Sequence, residues 1–206
     1  MLTRIIKFDV KPEQTQAFKA AFLKAKTATE VEAGFDEVRL FVDKSDAHKF
    51  FAYERLQSEQ ADKLHRDQPY TKELFDFLDS SETVATPLSV SDTVPAPDHS
   101  RLPNPEDEVF VIFFIFKIKP EFRERLLAQF EKHITHTKNE PGNILFDLYT
   151  IDGVQDELVV YEHWRKESDV WDIHFHQPYA EETGALMEQA IVGDMKQYMH
   201  FVTEVV

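Results

Sequence analysis

Chemistry in this 206-residue chain concentrates in its second half, which holds both tryptophans and six of the nine histidines. The six are His133, His136, His163, His174, His176 and His200. An imidazole exchanges a proton near neutral pH more readily than other side chains. His174, which opens a His-x-x-Gln-Pro-Tyr run, is therefore the first candidate for proton transfer. Trp171 precedes it by three residues, a spacing that shares one face if the stretch is helical. Glu162 is a candidate general base, with a structural carboxylate as the alternative. His174 also has a bland alternative, since it could orient the Gln-Pro-Tyr turn, and Trp164 and Trp171 could be core residues.

Several chemistries are excluded or disfavoured by composition. The formal charge is −15 and the pI about 5.0, with no basic cluster to meet phosphates, so no nucleic-acid partner is expected. Without cysteine there is no thiol nucleophile, disulfide or Cys-type metal site. His133-x-x-His136 and His174-x-His176 have spacings a metal could use, but neither has an acidic partner at fixed spacing, so no metal is expected. Five glycines form no phosphate-binding loop, and no GxSxG elbow occurs. The longest apolar run, Val109 to Phe116, falls far short of the ~20 residues that span a bilayer. No membrane partner is expected, and a cytoplasmic location fits the absence of cysteine and of an apolar leader.

The elements that must position these residues come in a repeated order. Residues 3–10 alternate as a strand, Pro12 opens a helix whose apolar face is Phe18, Ala21, Phe22 and Ala25, and Gly34 stops it. Strands follow near 35–42 and 49–56, then a helical region over 58–78 broken at Pro69, then a strand over 83–94. Residues 94–107 hold four prolines and no apolar pattern, the mark of a semi-rigid linker. The order then restarts: a strand over 108–118, apolar on both faces, and a helix from Pro120 to about 139. Strands near 143–150 and 157–164, helical stretches at 167–174 and 178–191, and a strand near 195–205 complete it.

Individual residues repeat as well. Lys11-Pro12-Glu13 recurs as Lys119-Pro120-Glu121, Glu32 and Gly34 as Glu140 and Gly142, and Tyr53-Glu54 as Tyr161-Glu162, all 108 residues on. After one inserted residue His65-x-x-Gln68-Pro69-Tyr70 recurs as His174-x-x-Gln177-Pro178-Tyr179. The chain is thus a tandem duplication of a βαββαβ unit. The expected fold class is α+β, with two ferredoxin-like repeats whose antiparallel sheets pack face to face. The expected boundaries are 1–94 for the first repeat, 95–107 for the linker and 108–206 for the second.

The second repeat resembles the antibiotic biosynthesis monooxygenase (ABM) domain of the dimeric α/β-barrel superfamily. The resemblance rests on Lys119-Pro120, Glu140-Pro141-Gly142, Phe146-Asp147-Leu148-Tyr149, Tyr161-Glu162-x-Trp164 and His174-x-x-x-Pro178-Tyr179. The first repeat is a weaker match, with Ala33 for the proline and Leu56 for the tryptophan. The resemblance implies a pocket between sheet and helices, and it extends the face-to-face sheets to a pseudo-dimeric α/β barrel within one chain, whose outer faces leave room for a further homodimer. Within such a pocket His174 and Glu162 are the expected catalytic residues, and Tyr149, Trp164, Trp171, His176 and Tyr179 the expected substrate-binding ones. In the first repeat Asp62 and Asp67 stand where Trp171 and His176 would. The implied activity is cofactor-independent oxygenation of a small aromatic or quinol-like compound. Isomerase-type proton transfer on a small carbonyl compound and non-catalytic small-molecule binding, as in a stress-response protein, remain open. The haem-degrading branch is disfavoured, because the first strands carry no asparagine.

Overall fold

A computed structural model describes residues 1–93 and 101–206; most of the expected linker, residues 94–100, lies outside the described residues. Contacts divide the chain into two compact units, Met1–Val90 with Val202–Val206, and Ser91–Phe201. Each is an α+β ferredoxin-like unit, and no helix among the described residues is long and apolar enough to cross a membrane.

The first unit comprises β1 (Leu2–Asp9), α1 (Thr15–Thr29), β2 (Phe35–Asp43), β3 (Lys49–Leu56), α2 (Glu59–Arg66), α3 (Pro69–Ser80) and β4 (Val84–Asp92). Its antiparallel sheet runs β4-β1-β3-β2. Phe18, Phe22, Ala25 and Thr29 recur at helical spacing and form the buried face of α1. The Phe18 ring lies 5.1 Å from Phe8 and 4.8 Å from Phe50, joining the helix to two strands. The break at Pro69 separates α2 from α3, because proline at a first helical turn has no N–H to satisfy. Ser58 caps α2 by accepting a hydrogen bond from the Ala61 N–H.

The second unit comprises β5 (Phe110–Lys117), α4 (Arg123–Thr137), β6 (Asn143–Ile151), β7 (Val154–Trp164), α5 (Pro178–Ala190) and the start of β8 (Met199–Glu204). Strand β7 pairs with β5 on one side and β6 on the other. The alternate residues Phe110, Ile112, Phe114 and Phe116 of β5 pack with Leu126, Phe130 and Ile134 of α4 and Met187 and Ala190 of α5. Val111, Phe113 and Ile115 on its other face are buried too. The last five residues, expected in the second repeat, group with the first unit, where Val202, Thr203 and Glu204 pair with β2.

Between β7 and α5 the two units differ. The first unit has the ordinary helix α2, whereas the second has a π-helical turn, Asp169–Ile173, followed by a 3-10 turn, His174–His176. The contacts locate the inserted residue. Gly34 faces Ala61 as Gly142 faces Asp169, still 108 residues on. Glu32 meets His65 as Glu140 meets His174, by which point the shift for the histidine is 109. The extra residue therefore falls between Asp169 and His174, inside the π-turn. The His174 N–H bonds to the Asp169 carbonyl five residues back, which is how a helix absorbs one residue without displacing its ends.

Candidate functional site

The site is assembled from four pieces of the second unit. Helix α4 presents Gln129 and His133 one turn apart, and the turn after it presents Glu140. Strand β7 contributes Glu162 and Trp164, two residues apart and thus on the same face. The turn after the π-segment brings His174, and the first turns of α5 bring Tyr179 and Thr183.

His174 is 1% exposed and has both ring nitrogens engaged. Its Nδ1 lies 2.7 Å from Glu140 Oε1, which also accepts the Tyr179 hydroxyl at 2.6 Å. Its Nε2 lies 3.2 Å from Nε2 of His133, whose Nδ1 is 2.9 Å from Thr183 Oγ1. Thr183 also reaches the Tyr179 carbonyl at 2.8 Å and accepts from Gln129 Nε2 at 3.1 Å. Around this line stand Trp164, 4.6 Å from the His174 ring centre, and Phe146, 5.8 Å from it. The second Glu140 oxygen, Oε2, is buried without a hydrogen bond.

Donor counting shows what this line can do. An ionised carboxylate only accepts, so His174 Nδ1 carries a proton toward Glu140. Two arrangements then satisfy every donor. In one, His174 is neutral, His133 donates from Nε2 to it, and Thr183 donates to His133 Nδ1. In the other, His174 carries a second proton on Nε2, each donor points the opposite way, and Thr183 donates to the Tyr179 carbonyl. The arrangements differ by one proton, and the hydrogen-bond geometry of Glu140–His174–His133–Thr183 accommodates either.

Burial is the main influence on the ionisable groups. It lowers the His133 pKa to about 3, with the neighbouring His174 acting in the same direction. It holds Glu162 above the ordinary carboxylate range, a rise partly offset by His174 and by the Trp164 Nε1–H, which donates to Glu162 Oε2 at 2.6 Å. Tyr179 is raised by burial and by the Glu140 carboxylate. His133 yields a prediction with a definite sign. Its folded pKa is depressed from 6.5, so its contribution is present above pH 6.5 and is lost as pH falls toward about 3. Urea unfolding of the wild type is expected to show an acid limb there, approaching ~1.4 kcal/mol per pH unit. His133→Gln, measured by the same unfolding, should flatten it.

The first unit supplies an internal comparison. Glu32 accepts from Tyr70 and lies 2.9 Å from His65 Nδ1, repeating the carboxylate, imidazole and phenol. What it lacks is the extension: Ala25 and Leu56 stand where the second unit has His133 and Trp164. The buried carboxylate of β3 is also answered differently. Arg4, directly across the sheet from Glu54, pairs with it at 3.1 Å and with Asp62 at 2.9 Å. Ile112 lies across from Glu162, whose donor is Trp164 instead.

Of the residues singled out in the sequence, His174, Glu162, Trp164 and Tyr179 come together. Tyr149 does not: Phe146 and Leu148 face the helices, so alternation turns Tyr149 to the other face of β6, where its hydroxyl donates to Asp147 at 3.2 Å. Trp171 and His174 do not share a face as a regular helix would require. The π-turn changes the phase between them, leaving Trp171 37% exposed with Nε1 donating to Glu167. His176 is exposed, and His136 stacks on the Tyr179 ring at 4.9 Å. Glu140, Gln129 and Thr183 were missed, and His133 was weighed only as half of a metal pair. The recurrence of Glu32 with His65 was the available signal for Glu140.

Comparison with known proteins adds the following. The sequence profile described as "Antibiotic biosynthesis monooxygenase" matches residues 1–76 and 109–185. A candidate monooxygenase of Bacillus subtilis, YcnE, is 32% identical over 60 residues, 29% of this chain and 63% of that protein. An uncharacterised protein of Synechocystis, sll1783, is 27% identical over 89 residues, 43% of this chain and 60% of its own length. The chain thus spans about three fifths of these curated relatives. Among solved structures, a candidate monooxygenase of Fusobacterium nucleatum superposes with a TM-score of 0.82 at 18% identity, covering 100% of this chain and 92% of that one. Another, from Lactobacillus acidophilus, gives 0.74 at 14% identity over 98% and 93%. At such identities these likenesses concern the fold.

Proposed function

The chain belongs to the antibiotic biosynthesis monooxygenase family, and on that premise we propose that its second unit is a cofactor-independent oxygenase for a small, electron-rich aromatic compound of quinol type. The observation that supports this most is the difference between the repeats. Only in the second unit is the Glu–His–Tyr cluster extended by a second buried imidazole and an indole. His174 is the proton acceptor in this reading, its Nε2 receiving the substrate proton when a substrate hydroxyl takes the place of His133. Glu140 orients the ring from Nδ1. Trp164 and Phe146 supply aromatic walls, and Glu162 holds the Trp164 indole in place.

The substrate supplies the electrons. Loss of a proton to His174 gives an anion, which passes two electrons to O2 to form a carbon-bound peroxide, and cleavage of the C–H bond at that carbon, with loss of water from the peroxide, passes the second two. One oxygen atom forms the new carbonyl and the other leaves as water with the two substrate hydrogens, so that SH2 and O2 give SO and H2O. The test is oxygen uptake by the purified chain over a panel of quinols and phenolic anthrones without added cofactor. One O2 consumed per substrate and one oxygen atom incorporated are expected. Saturable binding of the panel without uptake would overturn the reading.

A second reading has its own support. Because Glu32, His65 and Tyr70 form the same cluster in the first unit, the cluster can serve as a clasp joining the α4–β6 turn to the start of α5. On that reading His65→Ala and His174→Ala lower stability by similar amounts, each leaving a buried carboxylate short of a donor, and neither changes any turnover. Urea unfolding of both variants beside the oxygen assay separates the two readings.

A further inference from the structure

On the second unit, away from the His174 line, a groove of about 560 Å3 is lined by Asn104, Glu106, Asp107, Glu108 and, across from them, Pro141, Gly142, Arg165, Lys166 and Asp169. We propose that this groove is a binding site for a small organic cation, a primary ammonium or guanidinium group on a short aliphatic body. The proposal is independent of the oxygenase reading.

Asp169 carries the argument. It is 7% exposed, lines the groove, and its carboxylate accepts no hydrogen bond and forms no ion pair among the described residues. Although the side chain is packed away, its oxygens are not sealed from solvent, so a cation entering the groove can reach them and form a charge-assisted hydrogen bond. Packing does not demand a carboxylate here, because in the first unit the same place opposite the glycine is filled by the methyl group of Ala61. A Cβ on Gly142 would lie 2.5 Å from Asp169 Cγ and one on Gly34 2.7 Å from Ala61 Cβ, so each glycine is needed for the close approach whichever side chain faces it. The second unit has thus kept an unanswered carboxylate where a methyl group suffices.

The surrounding groups set the ligand's charge and size. The Arg165 guanidinium is engaged, donating to Asp107 Oδ2 at 2.7 Å and to the Pro141 carbonyl at 3.0 Å. Asp107 Oδ2 also accepts the Asn104 N–H at 2.6 Å. Among the described residues this leaves the exposed Glu106 and Glu108, and Asp169, with Lys166 as the one cation lining the groove that has no ion-pair partner. The balance favours a positive ligand. A bare metal ion does not fit, because no three His, Asp or Glu side chains converge among the described residues, and the volume suits a small molecule.

The experiment is a backbone amide NMR titration of the whole chain with n-butylammonium chloride at constant ionic strength, with n-butanol as the uncharged counterpart. Saturable shifts at Gly142, Arg165 and Asp169 with the ammonium only are expected. Asp169→Ala, which restores the first unit's residue and so preserves the packing, should weaken binding about 10- to 100-fold, the scale of one charged hydrogen bond. Shifts scattered over the acidic surface and unchanged in the variant would overturn the proposal, as would no shift at all. Oxygen uptake should be the same in both proteins, which keeps this outcome separate from the assignment of His174.

Discussion

His174→Ala is expected to lower oxygen uptake 10²- to 10⁴-fold, the range attributed to a positioned general base. The loss should appear in kcat rather than in binding, because the aromatic walls formed by Trp164 and Phe146 remain. The variant has a structural cost too. It leaves Glu140 Oε1 with only the Tyr179 hydroxyl and removes the partner of His133 Nε2. Urea unfolding must therefore accompany the kinetics, so that activity is compared only where both proteins are folded. Glu140→Gln gives a further check, since it keeps an oxygen for Tyr179 and His174 while removing the charge that orients the ring. It should reduce kcat and shift the pH profile with little change in KM, whereas a merely structural clasp would leave the profile of the remaining activity in place.

Trp164→Ala is expected to destabilise the protein by about 3–5 kcal/mol, the cost of truncating a buried aromatic side chain. Trp164 is 0% exposed and belongs to the core shared by β5, α4 and α5. Its indole is also the hydrogen-bond donor to Glu162, a carboxylate already pushed up by burial. Trp164→Phe separates these roles. It retains most of the volume but strips the donor, and should cost about 1–3 kcal/mol. Because the folded pKa of Glu162 is raised, its protonation favours the native state below the unfolded pKa, and that benefit is lost as pH rises through the folded one. The cost of Trp164→Phe should accordingly shrink in acid, which denaturation at a series of pH values would reveal.

The sequence carried the fold further than it carried the site. Duplicated identities such as Lys-Pro-Glu and Tyr-Glu, together with strand alternation and the proline at each helix start, sufficed for two ferredoxin-like units, because these signals are local. The site was legible where the repeat preserved it, at Glu162, His174 and Tyr179, while Trp164, replaced by Leu56 in the first unit, was legible only from the resemblance to the family's Tyr-Glu-x-Trp run. Tyr149 was misplaced because Leu145 and Tyr149 alternate with Phe146 and Leu148, so β6 is apolar on both faces and its parity cannot be read. His133 was undervalued because its partner lies 41 residues away, brought close only by the packing of α4 against the turn before α5. The position of Trp171 depended on an assumed regular helix, and one extra residue in helical sequence leaves no mark showing where it is looped out.

That looped-out residue gives the duplicated chain an outlet for divergence. A length change in most helices rotates everything downstream by about 100° and scrambles the contacts beyond it. Here the slack is taken up inside Asp169–Ile173, and His174 meets Glu140 as His65 meets Glu32. The outer rim, where Trp171 and Phe175 stand exposed, can therefore lengthen or shorten by a residue while the inner carboxylate–imidazole pairing keeps its address. A single-residue deletion within 170–173 should be tolerated as a fold, because the first unit is already the shorter version of that design.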